Sequence, residues 1–252
     1  MSDHILIHEA DGVLELRFNR PDKKNAILGA MYDTLAAALR DADARPAVRA
    51  VLIGAEGDAF TAGNDIRDFL AMGGGLEDAP PARFIHAIAT FGKPLVAAVQ
   101  GPAVGVGTTL LLHCDLVYAS PAATFSAPFV DLALVPEAGS SLLLPARLGH
   151  ARAAALLLLG EGMDAAEALS AGLLTGIVPA EELQEHARAK ARKLAAKPAA
   201  ALAATRRLMR GDPVPLHARM REEEAAFSQA LASPEARAAF AAFLDRRAPR
   251  AP

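Results

Sequence analysis

The sequence predicts an α/β fold in which short buried strands alternate with helices, followed by a region of helices only. Two apolar runs, at 48–55 and 94–99, each lead into a glycine-bearing turn and then a segment with helical spacing. Strand and helix alternate from about 48 to 180, which is typical of a sheet covered on both faces. We therefore expect an α/β core over 1–195 and a C-terminal helical region over 196–252.

The chain before the first buried strand is predicted to form a β-hairpin and a helix. Residues 5–18 contain two strand-like runs around Asp11-Gly12, a pair that suits a tight turn with positive φ. A turn rich in charged residues follows. The helix after it is indicated by helical spacing of four apolar residues, Met31, Leu35, Ala38 and Leu39.

The remaining core elements are short and are separated by glycine and proline. Apolar runs predict strands, and segments of helical periodicity predict helices. In chain order we expect a strand at 48–55, a helix at 66–71, a loop at 73–82, a helix at 82–91, a strand at 94–99, a helix at 108–114, strands at 115–120 and 123–128, and a helix at 139–148.

Four amphipathic helices are predicted at the C-terminus, over 181–196, 200–211, 216–232 and 233–247. Ser233 precedes Pro234, the arrangement of a helix cap and first helical residue. An apolar stripe of this region would be an aggregation hazard on a monomer, so we expect it to mediate oligomerisation. The stripe comprises Phe227, Leu231, Phe240 and Phe243.

Composition excludes several classes of protein. The formal net charge of −3 offers no basic field for nucleic acid or for an acidic membrane surface. Cys114 is the single cysteine, so an internal disulfide is excluded. The acidic N-terminus lacks the pattern of a signal peptide, and no apolar run reaches the length of a membrane span. We expect a cytoplasmic protein that contacts neither nucleic acid nor membrane.

Two glycine-bearing turns are candidates for a functional site. They occupy 58–69 and 100–115, each between a buried strand and a helix. Free backbone N–H groups at two adjacent helix N-termini can donate to one oxygen and form an oxyanion hole. Alternatively, Gly63, Gly105 and Gly107 serve only to permit tight turns.

Nucleotide and metal sites have weaker support. The Gly105-x-Gly107 pair lacks the third glycine of the dinucleotide fingerprint, since Leu110 occupies that position. The seven histidines show no metal-ligand spacing with acids or cysteine. His113 and Cys114 close an apolar helix and are interpreted as core residues. We expect no metal and no separate cofactor.

Glu137 is the most unusual acid in the chain. It lies in the segment LVPEAGSS, between two apolar runs and before a predicted helix. It is either a first-turn acid that stabilises that helix or a buried general base. Asp131, six residues earlier, is a surface acid or a second site carboxylate. Asp65 is an N-cap or first-turn acid of the helix at 66–71, next to the first glycine turn.

Several ordered segments resemble the crotonase superfamily, the enoyl-CoA hydratase/isomerase fold. They are FNRPDKKNAI, AFTAGNDI, VAAVQGPAVGVGTTLLLHCDLVYAS and the long segment that begins with LVPEAGSS. The resemblance covers residues from about 5 to 210. It implies a spiral of ββα units with a C-terminal helical oligomerisation region, a homotrimer or hexamer, and acyl-CoA thioester substrates. Coenzyme A would then be part of the substrate.

The resemblance also implies residue roles. The oxyanion donors fall on the backbone N–H groups of Asn64 and Val106, and Gly105 belongs to the same turn. The remaining substrate contacts, largely through backbone atoms, fall on Ala26, Ala62, Asp65 and Ile66.

Two departures from the hydratase pattern narrow the expected reaction. Hydratases carry two glutamates where this chain has Thr109 and Phe129, and neither residue can activate water or deliver a proton. A lone acid at the position of Glu137 resembles Δ3,Δ2-enoyl-CoA isomerases and ring-opening isomerases of phenylacetate breakdown. Isomerisation with Glu137 as proton shuttle is the first hypothesis. The alternatives are hydration using Asp131 or Glu137, and a non-catalytic acyl-CoA-binding subunit.

Overall fold

The computed structural model describes residues 3–71 and 78–247 and contains two sheets. The larger has six strands in the order β1-β2-β3-β4-β6-β9, and the smaller has three in the order β5-β7-β8. The strands are β1 Ile5–Ala10, β2 Val13–Phe18, β3 Ala50–Ala55, β4 Leu95–Val99, β5 Ala103–Val104, β6 Leu116–Ala119, β7 Thr124–Ser126, β8 Met163–Asp164 and β9 Gly176–Ile177.

Eleven α-helices lie in the described part of the chain. They are α1 Gly29–Ala44, α2 Ile66–Ala71, α3 Pro80–Thr90, α4 Val106–Thr109, α5 Ser140–Leu148, α6 His150–Leu158, α7 Ala165–Ser170, α8 Leu183–Ala195, α9 Ala199–Arg210, α10 Val214–Leu231 and α11 Pro234–Arg247. Three 3-10 helices, Pro21–Lys23, Leu110–His113 and Val130–Leu132, complete the helical segments. No described helix combines the length and apolar character of a membrane span.

The large sheet is covered on both faces, as its continuous apolar strands predict. In β3, Val51 and Ile53 join the main core, whereas Leu52 joins a second cluster on the opposite face. The second cluster is completed by α8, which contributes Leu183 and three alanines at helical spacing. Period-two alternation therefore places neighbouring residues of one strand in two different cores. Only β1 pairs antiparallel in this sheet, and Asp11 and Gly12 have the positive φ expected of the hairpin turn.

The smaller sheet gives the chain the expected spiral of repeating units. β4 is followed by β5 and β6 by β7, and β5 and β7 pair in parallel. The turn after β3 continues the series, because Thr61 forms a parallel bridge with Ala103 and Asn64 forms one with Ile27. Four strands of the large sheet, β2, β3, β4 and β6, thus each lead into a short segment that pairs with the next turn of the chain. The expected α/β spiral core is confirmed.

The C-terminal helices pack on the core of the same chain. The guanidinium of Arg206, on α9, donates to Asp115 at 2.8 Å and to the carbonyl of Phe91 at 2.6 Å. Phe227 of α10 and Phe240 of α11 are buried, with ring centroids 6.1 and 6.5 Å from that of Phe69.

These contacts correct the reason given for oligomerisation. Phe227 and Phe240 are buried and line a cavity of this chain, and Leu231 and Phe243 are half-buried, so the stripe is not an exposed face awaiting a partner. Helical periodicity identified a buried face but could not tell what covers it. Assembly into a trimer or hexamer and the division at 195 stay predictions. Residues 73–77 of the expected loop at 73–82 lie outside the described residues. Residues 80–82 belong to α3, which begins at Pro80, because proline suits the first turn of a helix.

Candidate active site

One cavity of about 680 Å³ brings together all eight residues expected from the sequence. Its walls are formed by the turns before α2 and α4, the segment before α5, and the two last helices. The expected residues in its lining are Ala26, Ala62, Asn64, Asp65, Ile66, Gly105, Val106 and Glu137. Their roles stay predictions, but their convergence in space gives each prediction a common location.

In the turn before α2, one N–H group is left without an acceptor in the described chain. The N–H of Ala62 donates to Lys24, that of Gly63 to the Thr61 hydroxyl, and that of Asp65 to Ile27, at 2.8, 3.1 and 2.9 Å. No described residue accepts from the N–H of Asn64. The backbone on either side is therefore fixed by hydrogen bonds while this donor stays free.

The turn before α4 has the same property. The N–H of Val104 donates to the backbone carbonyl of Thr61 at 3.0 Å, and the N–H of Gly105 donates to that of Ser126 at 2.9 Å. Val106 is the first residue of α4, so its N–H has no acceptor within the helix, and no described residue supplies one.

The two turns are packed directly against each other. A Cβ atom at Gly63 would lie 2.9 Å from the carbonyl oxygen of Val104, and one at Gly107 would lie 2.5 Å from a methyl of Thr61. Glycine is therefore required for close approach as well as for the positive φ of Gly63. The tight turns place two free N–H groups in the lining of one cavity. Their use as an oxyanion hole stays a prediction.

Tyr32 fixes the side chain of Asn64, the residue that carries the first of the two free N–H groups. Its side chain is buried on α1, and its hydroxyl donates to the Asn64 side-chain oxygen at 2.5 Å. Burial raises the pKa of Tyr32 well above its ordinary value, and the nearby charge of Glu137 adds to this rise. The phenol is thus a neutral donor at physiological pH, and it fixes the asparagine side chain.

Glu137 lies in an unusual turn before α5. Ala138 and Gly139 both have positive φ, at 60° and 70°. The Thr109 hydroxyl donates to the Glu137 carboxylate. The carboxyl is enclosed by protein but faces the cavity, so it remains reachable from within the site.

The surroundings of Glu137 favour its neutral form. Burial raises the pKa of Glu137 to about 8, the Thr109 hydroxyl opposes this rise, and the charge of Glu223 adds to it. The sequence left open whether apolar walls or the helix N-terminus would dominate, and burial dominates. A carboxyl that titrates near neutrality can both accept and return a proton.

Asp65 lines the same cavity, but its carboxylate already has partners within the protein. Its carboxylate pairs with Arg20 at 2.7 Å and accepts from the backbone N–H groups of Arg67 and Asp68, at 3.2 and 3.4 Å. Partial burial disfavours the charge, but Arg20 and the N–H donors outweigh it and lower the pKa of Asp65. Of the two expected positions, N-cap or first-turn acid of α2, the structure shows the N-cap, because Asp65 precedes Ile66 and its carboxylate accepts from the N–H groups of Arg67 and Asp68. Asp65 also lines the cavity.

Other candidates lie outside the cavity lining. Asp131 is exposed, and its carboxylate lies beside Gly160. His113 and Cys114 are buried, and the His113 ring nitrogen Nε2 lies 2.9 Å from the carbonyl oxygen of Ala138. Burial lowers the pKa of His113 to about 4 and raises that of Cys114 to about 12, so at neutral pH both are uncharged core residues.

Sequence reasoning missed two sets of lining residues. The first is basic and comes from the turn before α1 and from α2: Arg20, Lys23, Lys24 and Arg67. The charges of 20–24 were visible in the sequence, but the net charge of −3 was used to argue against a basic surface, so no local basic cluster was predicted. The second set is apolar and aromatic. Phe69, Leu132 and Leu134 were not singled out in the sequence, and Phe227 and Phe240 were assigned to oligomerisation rather than to a cavity. Phe129, already placed at a hydratase glutamate position, lines the cavity with them. Several of these are far apart in sequence, so only the fold brings them together.

The spiral fold, the paired turns and the enclosed carboxyl define a protein of the crotonase fold. The model of the family described as enoyl-CoA hydratase/isomerase matches residues 8–251, and the chain belongs to this family. Enoyl-CoA delta isomerase 2 of Rattus norvegicus is 39% identical over 230 residues, which cover 88% of this chain. The chain spans only 58% of that relative. A probable enoyl-CoA hydratase of Rhodobacter capsulatus is 35% identical, and the match covers 99% of this chain and 98% of the relative.

Solved structures share the complete fold. OdaA of Pseudomonas aeruginosa is 47% identical with a TM-score of 0.91, and the match covers 96% of this chain and 99% of that one. An enoyl-CoA hydratase/isomerase of Pseudoalteromonas atlantica is 42% identical with a TM-score of 0.92, and the match covers 99% and 100% of the two chains. The family is thus established, whereas the names of relatives divide between isomerase and hydratase.

Proposed function

We propose that the protein is an enoyl-CoA isomerase that moves a carbon–carbon double bond from the 3 position to the 2 position of an acyl-CoA thioester. The observation that carries this proposal is the Glu137 carboxyl, enclosed in the same cavity as two free backbone N–H groups and with its pKa raised to about 8. In its ionised form, Glu137 removes a proton from C2 of the substrate. The protonated Glu137 then returns that proton at C4, and the double bond becomes conjugated with the carbonyl.

The oxyanion donors assigned in this proposal are the N–H groups of Asn64 and Val106. Loss of the C2 proton places negative charge on the thioester oxygen, and two fixed N–H donors stabilise this charge without reorganisation. The hydrogen bonds that hold the neighbouring N–H groups support the assignment, because they keep the free donors in place. The reaction needs no metal and no separate cofactor, since every proton returns to the substrate.

The two missed sets of lining residues fit a coenzyme A thioester. Phosphate groups of coenzyme A would be held by the basic side chains of Arg20, Lys23, Lys24 and Arg67. The apolar set would receive the acyl group, which gains by transfer from water. The substrate contacts in this proposal also include Ala26, Ala62, Asp65, Ile66 and Gly105.

We also propose that the chain assembles as a homotrimer or hexamer.

Hydration of a 2-enoyl-CoA is the second candidate, because hydratase-named relatives match the chain over nearly its whole length. Two observations weigh against it. Phe129 lies in the cavity lining where hydratases carry a glutamate, and Thr109, at the other such position, donates to Glu137. Asp131 is outside the lining, so Glu137 would have to act on water alone.

A paired assay tests the proposal. Purified protein is incubated with a 3-enoyl-CoA and, in parallel, with the 2-enoyl-CoA of the same chain length. Formation of the conjugated thioester from the first substrate, with little 3-hydroxyacyl-CoA from the second, is expected. Predominant water addition to the second would establish the hydratase instead. Retained binding of acyl-CoA without turnover of either substrate would indicate a non-catalytic subunit.

A further inference from the structure

We propose that Glu223, on α10, is a positioning residue for proton transfer: its carboxylate holds the turn that carries Glu137. This inference rests on the proposed function of Glu137, but the contacts that carry it do not. It gives the C-terminal region a part in the reaction besides covering the cavity.

Glu223 is bound to the turn through its backbone N–H groups. It is 5% exposed, and its two carboxylate oxygens accept from the N–H of Gly139 at 2.6 Å and from the N–H of Ser141 at 2.9 Å. Gly139 is two residues after Glu137 and is the N-cap of α5. Both oxygens of one side chain thus fix the backbone next to Glu137, from a position 84 residues away in sequence.

The turn has no local substitute for this contact. Gly139 provides no side-chain cap to α5. The N–H of Ser140 has a local acceptor, the carbonyl of Glu137 at 3.0 Å, but the N–H groups of Gly139 and Ser141 are accepted by Glu223. The two consecutive residues with positive φ, Ala138 and Gly139, also make this backbone costly to hold without partners. Helix α10 lies close against it, because a Cβ atom at Gly139 would be 2.3 Å from a methyl of Leu216.

The charge of Glu223 has a second consequence for Glu137. A carboxylate at the N-terminus of α5 offsets the positive end of the helix, which would otherwise favour ionised Glu137. Burial raises the pKa of Glu223, while the Ser141 side chain, the backbone donors and Arg219 of α10 act in the opposite direction. Tyr32 of α1 and His113 beside Ala138 are further titratable groups near Glu137. Glu224, next to Glu223 on α10, pairs with His86 of α3 at 2.7 Å.

The first test needs no substrate. Hydrogen exchange of the segment 137–143 is compared among wild type, Glu223→Gln and Glu222→Gln. Glu222 is the next residue on the same helix and is exposed, so its substitution makes the same charge change without touching the turn. Glutamine can accept from only one of the two N–H groups, so faster exchange is expected in Glu223→Gln alone. Equal exchange in all three proteins would overturn the proposal.

The second test measures turnover. A displaced base is expected to lower kcat of Glu223→Gln by about 10- to 100-fold, with KM changed less than about threefold. Loss of the charge should also move the acid limb of the kcat/KM profile to lower pH. Glu223→Asp keeps the charge but shortens the reach, so it should lower kcat and leave the limb in place.

The outcomes separate this proposal from the proposed function. If wild type does not convert a 3-enoyl-CoA, the proposed function fails, and the exchange experiment still tests the contact. If Glu223→Gln does not fold, Glu223→Asp must show faster exchange and reduced kcat. A folded Glu223→Asp with wild-type exchange and kcat would overturn the positioning role, as would an acid limb that stays unchanged in a folded Glu223→Gln.

Discussion

Asp65 and Glu137 line the same cavity and precede helices α2 and α5, yet their surroundings shift their pKa values in opposite directions. Burial opposes the charge of each. Asp65 is compensated by Arg20 and by two backbone N–H groups, so its pKa is lowered. Glu137 has one hydroxyl donor and the unfavourable charge of Glu223, so its pKa rises to about 8.

The comparison shows how hydrogen-bond partners and nearby charges give two carboxyls of one cavity different pKa values. A carboxylate with a low pKa and saturated hydrogen bonds stays charged and holds other groups in place. A carboxyl with few partners and a pKa near neutrality exchanges its proton at little cost. Asp65 directly precedes α2 and accepts from two of its first N–H groups, whereas Glu137 lies three residues before α5. Position in the secondary structure therefore contributes to the difference, together with Arg20 at Asp65 and with Thr109 and Glu223 at Glu137, which distant parts of the chain supply.

The strongest test of this comparison is Glu137→Gln. Glutamine preserves size but cannot accept the C2 proton, so isomerase kcat should fall about 100- to 10,000-fold. Thioester affinity should change little, because it depends on the other lining residues. Steady-state kinetics with a 3-enoyl-CoA, together with a binding measurement, gives both quantities.

Asp131→Asn is the matched control for that substitution. Asp131 is exposed and outside the cavity lining, so near-normal turnover is expected. If Asp131→Asn abolished turnover while Glu137→Gln preserved it, the proton shuttle would have been assigned to the wrong carboxyl.

The second test separates backbone from side chain at Asn64. Proline removes the free N–H, and loss of an oxyanion donor should lower kcat about 100- to 1,000-fold. Alanine keeps the N–H and should retain much of the activity. It leaves the buried Tyr32 hydroxyl without its acceptor, at a cost of about 1–3 kcal/mol in the free energy of unfolding.

Tyr32→Phe provides the reference for Asn64→Ala. Combined with Asn64→Ala, it removes both partners of the hydrogen bond, so the double variant should be less destabilised than the sum of the single variants. Chemical denaturation measures stability, and the same preparations give kcat. Equal loss of kcat in Asn64→Ala and Asn64→Pro would contradict a backbone donor at this position.

Much of the site was predictable because it is built from local backbone patterns. Each of three segments is a short continuous stretch of sequence: the glycine turn around Asn64, the glycine turn around Val106, and LVPEAGSS with its acid. The two glycine turns have the pattern of a strand-to-helix transition, and LVPEAGSS precedes a predicted helix. The family resemblance then placed these segments at one site, which periodicity could not do. The same holds for the fold: alternating strands were visible, but the pairing of β5 with β7 that makes the spiral was not.

The parts that escaped prediction depend on contacts across long sequence distances. The apolar stripe of α10 and α11 was recognised but assigned to another subunit, since a pattern does not identify its partner. Glu223 was overlooked, although a signal exists: with Met220 and Phe227 it forms a buried i, i+3, i+7 series on α10. An acid in such a series is a candidate for a buried contact, because isolated buried charges are costly.

The third test addresses the other carboxyl. Asp65→Asn keeps an acceptor for the N–H groups of Arg67 and Asp68 but removes the charge opposite Arg20. Because the pair is partly exposed, about 1 kcal/mol or less of stability should be lost. KM for the thioester should rise by up to about tenfold, through the released Arg20, while kcat falls far less than in Glu137→Gln. A collapse of kcat at unchanged KM would mean that Asp65 takes part in proton transfer.

The last test measures stability as a function of pH, which is expected to change in opposite directions at the two carboxyls. The pKa of Glu137 rises on folding from about 4.5 to about 8, so between these values the folded protein holds a proton that the unfolded chain has lost. Wild type should therefore lose stability relative to Glu137→Gln as pH rises from about 4.5 to about 8, with no further change above that. The pKa of Asp65 is lowered from 3.8, so wild type should lose its advantage over Asp65→Asn only as pH falls below about that value. Thermal unfolding of the three proteins across the pH range measures both differences. A gap between wild type and Glu137→Gln that stayed constant from pH 5 to pH 8 would show that Glu137 titrates as an ordinary surface acid.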